Sequence, residues 1–351
     1  MSEPLDSPQA VLPEVIAWID LEWVDATRAI LEAMNGEVRL VAIGGPRVAE
    51  VIEMAHAWDL PHFDDPRQLL VNHPTSFWLI SSMKRLTLDD LALAVDQGAT
   101  VLSLEPFVEQ MSDPGELTRK LAAIRKNRKQ PTGVTPGNLV MLGGLVDSPG
   151  YVATAGGIEM IGDNRLLRIE SLGPEPTRSG RSLYARLYDV WRTALTLLPM
   201  PEKIDASLAD PQMTAPGPGK LSLLTGRIAA HARIPEGGAA IIAVSDQHPD
   251  EWAVVSLSGA GGFMRVTADS YELHLYESDD REASDQLVRG RTVTDLAVWQ
   301  WRRLLSRPDF TPADARAATH DQVLACCHAC LLSARTREPE RPEKFLRLLG
   351  T

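Results

Sequence analysis

Val38-Arg-Leu-Val-Ala-Ile-Gly-Gly45 opens the stretch whose reading decides the fold, and that stretch continues to Pro106. The apolar run ends in two glycines, and a helical pattern from Val48 to Trp58 follows. Leu60-Pro-His-Phe-Asp-Asp65 and a short Leu69-Leu70 segment lead to a second apolar run, Phe77-Trp-Leu-Ile80. Another helical pattern, Leu86 to Val95, stops at Gly98, and Thr100-Val-Leu-Ser-Leu104 then runs into Glu105-Pro106. Short apolar runs that alternate with amphipathic helices predict a parallel sheet with helical crossovers. In such a sheet a strand that enters a glycine-bounded turn at the carboxyl edge is where a dinucleotide would lie.

Upstream of this stretch, Glu14 to Asp20 reads as the first strand and Val24 to Met34 as the first helix, after a polar lead ending at Pro13. A nucleotide-binding unit carries Gly-x-Gly-x-x-Gly at this junction, where glycines let the backbone and the helix N-terminus approach a pyrophosphate. Here the junction is Ile19-Asp-Leu-Glu-Trp-Val-Asp25, with no glycine, two bulky side chains in Leu21 and Trp23, and three carboxylates. The plain alternative is an ordinary strand-to-helix turn with Asp25 or a neighbour as helix cap. Downstream, Asp113 to Arg128 reads as a helix with Ser112 as its cap, and Arg125-Lys-Asn-Arg-Lys129 suits a solvated helix C-terminus. Leu139 to Leu142 reads as the last strand of the first unit, and the domain boundary falls near Pro136.

Beyond it come a strand within Ile161–Glu170, a loop from Gly173 to Gly180, a helix from Ser182 to Leu198 and a strand ending at Leu208. Strand-like runs follow at 222–231, 239–245, 252–257, 263–268 and 271–276, separated by turn signals, which predicts a largely antiparallel sheet. Ser258-Gly-Ala-Gly-Gly262 lies between two of these strands rather than before a helix, so it reads as a turn and not as a phosphate loop. Thr294 to Leu305 reads as a helix, and Thr311-Pro-Ala-Asp314 as the start of a final helix running to about Arg335. Cys326 and Cys330 share a helix face while His328 points elsewhere, so buried thiols outweigh a metal site.

The order and lengths of these segments resemble the Gfo/Idh/MocA family of NAD(P)-dependent oxidoreductases over nearly the whole chain. The resemblance implies an α/β protein with an N-terminal Rossmann-like, doubly wound parallel sheet (1–136). A C-terminal α+β domain with a largely antiparallel open sheet would complete it (137–351). The chemical residues of the family mostly differ. Where the family places a ribose-binding acid, this chain has Gly44 and Gly45, with Arg47 as a candidate for a 2'-phosphate or as a solvated helix-start residue. Where the family has Thr-Pro and then a histidine, Ser81 and Ser82 stay small and polar and Leu86 replaces the histidine. The family's Glu-Lys-Pro becomes Leu104-Glu105-Pro106, which exchanges a substrate-orienting lysine for a carboxylate. The family's Asp-x-Gly-x-His-x-x-Asp pattern falls on Tyr184, Arg186, Tyr188 and Trp191, and all four positions differ.

By resemblance, the candidate cofactor contacts are Gly44, Gly45, Arg47, Ser81, Ser82 and Pro106, should NAD(P) bind at all. The candidate catalytic substitutes are Glu105, Tyr184 and Tyr188. Glu105 could serve as a general base if buried, whereas an end-of-strand carboxylate is ordinarily solvated. Tyr188, at an ordinary pKa of about 10, is a poor base near neutral pH and reads as a packing aromatic. Joint loss of the glycine loop, the ribose acid, the lysine and the histidine points to a non-catalytic binding, scaffolding or sensory subunit, with a partner enzyme beside it. The alternative is an atypical NAD(P)-dependent oxidoreductase acting on a sugar or related polyol. The family's habit implies a homo-oligomer formed through the outer face of the C-terminal sheet.

At 351 residues, with 44% hydrophobic and 23% charged content, the chain suits a soluble globular protein of two domains. No apolar run approaches the roughly 20 residues that span a bilayer, and Met1 to Gln9 lack the basic and apolar regions of an export signal. The formal charge of -12 argues against a nucleic-acid partner. Three cysteines clustered in one segment make no disulfide framework, so the expectation is a reducing cytoplasm.

Overall fold

Five of the apolar runs and the short pair His62–Phe63 become strands of one all-parallel sheet: β1 (Glu14–Trp18), β2 (Arg39–Gly44), β3 (His62–Phe63), β4 (Phe77–Ile80), β5 (Thr100–Ser103) and β6 (Leu139–Met141). Their order, β3-β2-β1-β4-β5-β6, reverses direction between β1 and β4, as in a doubly wound sheet. The computed structural model describes residues 12–107, 123, 139–154, 156–163, 165–175, 181–209, 224–276, 281–283, 292–306 and 320–348. Apart from residue 123, the expected helix 113–128 with its basic tail, the loop 211–219 and the helix start 311–314 lie outside these residues.

The crossovers of this sheet are helices α1 (Val24–Ala33), α2 (Ala49–Ala57), α3 (Pro66–Asn72) and α4 (Leu88–Asp96). Leu69 and Leu70, an unassigned apolar pair in the sequence, fall in α3, which starts on Asp65 with Pro66 in its first turn. A reciprocal capping box between Thr87 and Asp90 starts α4. Side chains alternate through the sheet, so each face buries its own set. Ile16, Trp18, Trp78 and Val101 pack with Leu69, Leu91 and Val95 of α3 and α4. Val15, Ala17, Leu79 and Leu102 pack with Ile30 and Leu31 of α1 and Val51 and Met54 of α2. The second face also receives Ala297, Val298 and Trp301 from α7 (Val293–Ser306), a helix nearly two hundred positions further along. β6 lies past position 136 and still pairs with β5 in this first sheet.

Eight strands make the second sheet: β7 (Leu166–Leu172), β8 (Lys203–Leu208), β9 (Arg227–Arg233), β10 (Ala239–Ser245), β11 (Trp252–Ser258), β12 (Gly262–Thr267), β13 (Tyr271–Leu275) and β14 (Arg281–Ala283). The order is β14-β13-β12-β11-β7-β10-β9-β8, and every pairing except β7 with β10 is antiparallel. One face is covered by α6 (Leu183–Leu197), buried along nearly its whole length, and beside it by α8 (His320–Thr336), which packs on β8. The edge strand β8 is shielded where Ile204 and Glu340 exchange two backbone hydrogen bonds of 2.8 Å.

The strand expected within Ile161–Glu170 begins later. Residues Ile158–Ile161 form a 3-10 turn, and Gly162 at φ +77° packs against Gly261 of the β11–β12 hairpin before β7 starts. That contact uses the glycine-rich turn: a Cβ on Gly259 would meet the Ile161 carbonyl oxygen at 2.6 Å, and one on Gly261 the Met160 carbonyl oxygen at 2.4 Å. The sequence leaves unassigned a short α5 (Pro149–Thr154), β14 and the last helix, α9 (Pro342–Leu348). Among the described residues, no helix is long and apolar enough to cross a membrane.

Candidate functional site

The carboxyl ends of β1 and β4 meet where the sheet order reverses. Ser81 donates its backbone N–H to the Trp18 carbonyl at 3.0 Å, and its Oγ accepts the Asp20 backbone N–H at 2.8 Å. Ser82 donates its hydroxyl to the Asp20 carboxylate. Asp20 is buried, and loss of solvent pushes its pKa above the usual 3.8, with the Ser82 hydrogen bond pulling the other way. Beyond Asp20 the chain makes a 3-10 turn, Leu21–Trp23, that feeds directly into α1. Trp23 is buried, Leu21 is 49% exposed at the edge, and Glu22 forms an ion pair with Lys84 that spans the two strand ends. The expected helix cap is not formed. Neither Asp20 nor Trp23 makes a side-chain capping bond, and Asp25 is exposed within α1.

These residues do not fit a dinucleotide. A pyrophosphate needs open backbone N–H groups at a helix N-terminus. In their place stand a buried carboxylate, a second carboxylate at Glu22, and the bulk of Leu21 and Trp23. Close packing requires Gly44 and Gly45 to lack side chains. A Cβ on Gly44 would lie 2.6 Å from the Trp18 ring, and one on Gly45 would lie 2.3 Å from the Ile19 carbonyl oxygen. Arg47 reaches Asp64 at 2.6 Å in a solvent-exposed pair, of a kind that contributes little stability.

Glu105 is buried and not a solvated strand end. Its carboxylate accepts the Ser182 backbone N–H at 3.0 Å and the Ser182 hydroxyl at 2.6 Å. Ser182 is the N-cap of α6, and its Oγ accepts the Ala185 N–H at 3.0 Å. The family's lysine position thus carries a structural bond between the two halves of the chain. Pro106 is buried beside it. On α6, Tyr184 is fully buried, and the Tyr188 hydroxyl lies 2.7 Å from Nδ1 of His320 in α8. Tyr188 therefore packs and bonds inside the second half, while Glu105 bonds Ser182 at the helix N-terminus, less than two turns away. Burial pushes His320 down to about 4.

Sequence reasoning missed the buried polar cluster that holds the segment after β6. Arg181 donates to the Gly143 carbonyl at 3.1 Å, the Leu142 carbonyl at 3.3 Å and the Asp189 carboxylate at 3.2 Å. Asp189 accepts the Leu145 N–H, and Arg192 pairs with Asp147 at 2.9 Å. From α7, Gln300 accepts the Gly143 N–H at 2.6 Å and donates to the Gly144 carbonyl at 2.8 Å. Gly144 is needed for this closeness, since a Cβ there would sit 2.9 Å from Asp189 Oδ1. The only local signal was the Gly143-Gly144 pair; the partners are too distant in sequence to be read from it.

In α8, Cys326, Cys327 and Cys330 are buried free thiols, and burial pushes Cys330 up to about 12. His328 stacks on Phe345 of α9, ring centroids 6.2 Å apart, and so turns away from Cys326 and Cys330. Among the described residues there is no group of three or more His, Cys, Asp or Glu able to hold a metal ion.

No protein-family model matches the sequence, and no curated protein matches it significantly. Solved structures do match in fold. An oxidoreductase from Agrobacterium radiobacter, solved with NAD+, L-tartaric acid and magnesium, aligns over 95% of this chain and 99% of its own, with a TM-score of 0.69 at 13% identity. A levoglucosan dehydrogenase in complex with NADH and L-sorbose aligns over 94% and 98%, TM-score 0.66, at 13% identity. A myo-inositol dehydrogenase from Corynebacterium glutamicum aligns over 94% and 99%, TM-score 0.64, at 15% identity. The chain has the two-domain fold of Gfo/Idh/MocA-type NAD-binding oxidoreductases, and at these identities the likeness is one of fold.

Proposed function

We propose that this chain is an oxidoreductase-like protein that no longer binds a dinucleotide or transfers a hydride, and that it acts as a non-catalytic binding, scaffolding or sensory subunit. One observation carries this reading: the Asp20–Ser81–Ser82 hydrogen bonds join the strand ends where a pyrophosphate would rest, and they put a carboxylate there. The commitment of Glu105 to Ser182 supports it at the second position, because a base must be within reach of the proton it removes. A pocket for a sugar-like ligand, kept without turnover, is compatible with the same reading.

Titration with NADH and NADPH, followed by nicotinamide fluorescence, tests it. The expected outcome is no saturable binding up to millimolar coenzyme. Saturable binding would restore the alternative, an atypical NAD(P)-dependent oxidoreductase on a sugar or related polyol. That alternative draws on the fold shared with a myo-inositol dehydrogenase. Thermal-shift screening with sugars and sugar phosphates tests the ligand.

A further inference from the structure

A groove of about 420 Å³ lies at the amino end of the first sheet, the end opposite Asp20, Ser81 and Ser82. Its apolar walls come from four places in the chain. They are Leu31 near the end of α1, Val38 and Leu40 around the start of β2, Trp58 and Leu60 after α2, and Leu12 ahead of β1. Leu31 and Val38 are buried, Leu40, Trp58 and Leu60 are half-buried, and Leu12 is 38% exposed. The groove thus shows solvent a continuous aliphatic and indole surface, in the size range of pockets that hold an occupant.

The sheet itself does not close this groove. β3 has two residues and pairs with β2 only at Ile43 and Gly44, so among the described residues no strand lies along the outer edge of β2 at Arg39–Val41. Edges of this kind are ordinarily covered. Leu12 indicates by what. The Pro13 carbonyl accepts the Arg39 N–H at 2.9 Å, and the Arg39 guanidinium pairs with Glu14. These bonds hold the chain at the rim of the groove, with Leu12 already part of its lining, and residues 1–11 continue from that point.

We propose that residues 1–11, which lie outside the described residues, are the occupant: the segment doubles back across the groove and seats Val11 and Leu5 against Leu40, Trp58 and Leu60. Pro4 and Pro8 oppose a helix there and suit an extended path. Eleven extended residues reach about 35 Å, ample for a groove of this size. Tethering gives the segment a local concentration on the order of millimolar. A second copy of the chain, or a separate protein, would have to displace a segment already in place. Coenzyme binding does not bear on this seating, because the groove and the strand ends at Asp20 and Ser81 are at opposite ends of the sheet.

Amide hydrogen exchange of the 351-residue protein, read by mass spectrometry, tests the seating. Amides of residues 1–11 are expected to exchange about ten-fold or more slowly in the parent than in a Leu5→Asp/Val11→Asp variant of the same chain. Leu60→Asp, on the groove side, is expected to speed the same amides as much, and Trp58→Ala is the milder change should the aspartate disturb folding. The Leu5→Asp/Val11→Asp variant should also bind the apolar dye anilinonaphthalenesulfonate more than the parent does. A synthetic peptide of residues 1–11 should displace the dye from that variant, and not from one that also carries Trp58→Ala. Unprotected amides in the parent, protection that survives both groove variants, or equal dye binding by parent and variant would each overturn the proposal. Protection that appears only as protein concentration rises would give the groove to a second copy, and would overturn it too.

Discussion

The carboxylate of Glu105, at the end of the first sheet's β5, accepts both the backbone N–H and the hydroxyl of Ser182, the residue that caps α6 of the second half. Charge-assisted bonds of this kind are about twice as strong as neutral ones. Glu105→Ala leaves the Ser182 hydroxyl and N–H without this acceptor in a buried setting, at a cost of about 2–4 kcal/mol. Glu105→Gln keeps one acceptor and costs less. Urea unfolding of the three proteins ranks them, and equal midpoints would mean the bond contributes nothing.

Asp20 and Ser82 form the second buried link, and here the charge itself is disfavoured. Asp20 has a folded pKa above its ordinary 3.8, so its contribution is present below that value and is lost as pH rises through the folded pKa. Asp20→Asn keeps an acceptor for Ser82 and removes the buried charge. Its stability at pH 7 is expected within about 1 kcal/mol of the parent or above it, and the comparison should favour Asn more at pH 7 than at pH 4. Ser82→Ala removes the donor and costs about 1–3 kcal/mol. Melting curves at the two pH values decide.

Gly45 and Gly44 differ in what their missing side chains would strike. Gly45→Ala drives a Cβ into the Ile19 carbonyl just past the end of β1, where the Ile19 N–H is itself bonded to the Gly44 carbonyl and the backbone has little room to move. Gly44→Ala meets the Trp18 and Leu69 side chains, which can shift. Overpacking typically costs about 1–3 kcal/mol, so Gly45→Ala should sit at or beyond the top of that range and Gly44→Ala below it. Thermal unfolding of both variants checks the order.

Two histidines, His328 buried and His320 half-buried, bear on the acid limit. His320 and His328 are each pushed from 6.5 to about 4 by burial. For such groups the unfolded chain takes up protons first, so stability is full above pH 6.5 and falls as pH drops from there toward 4. Each shift corresponds to at most about 3 kcal/mol. His328→Leu, which keeps an apolar side chain beside Phe345, should flatten the fall in melting temperature between neutral and mildly acid pH. A parallel slope in parent and variant would rule this cause out.

Strands β1, β2, β4, β5 and β6 were legible because apolar runs bounded by glycine, proline and capping residues are local signals, whereas β3 is only His62–Phe63. Ser81 and Ser82 could be recognised as small polar residues after a strand, but their bonds to Asp20 span more than sixty positions. Gln300 stands 157 positions from Gly143, and nothing near either residue announces the other. Glu105 looked like a surface carboxylate because its environment is made by Ser182, 77 positions away. The start of β7 was misjudged for the same reason, since Gly162 is held by a hairpin a hundred residues later. Periodicity marks which residues turn inward and leaves open what they meet there.

The return of α7 to the first sheet has a consequence for synthesis. Trp301, fully enclosed, and its neighbours Ala297 and Val298 complete the layer over Val15, Ala17 and Leu79. A ribosome has therefore made some three hundred residues before the opening sheet can cover that side, and the nascent amino-terminal half must wait with apolar surface bare. Separately expressed halves cut between the two sheets should be insoluble alone and recover when co-produced.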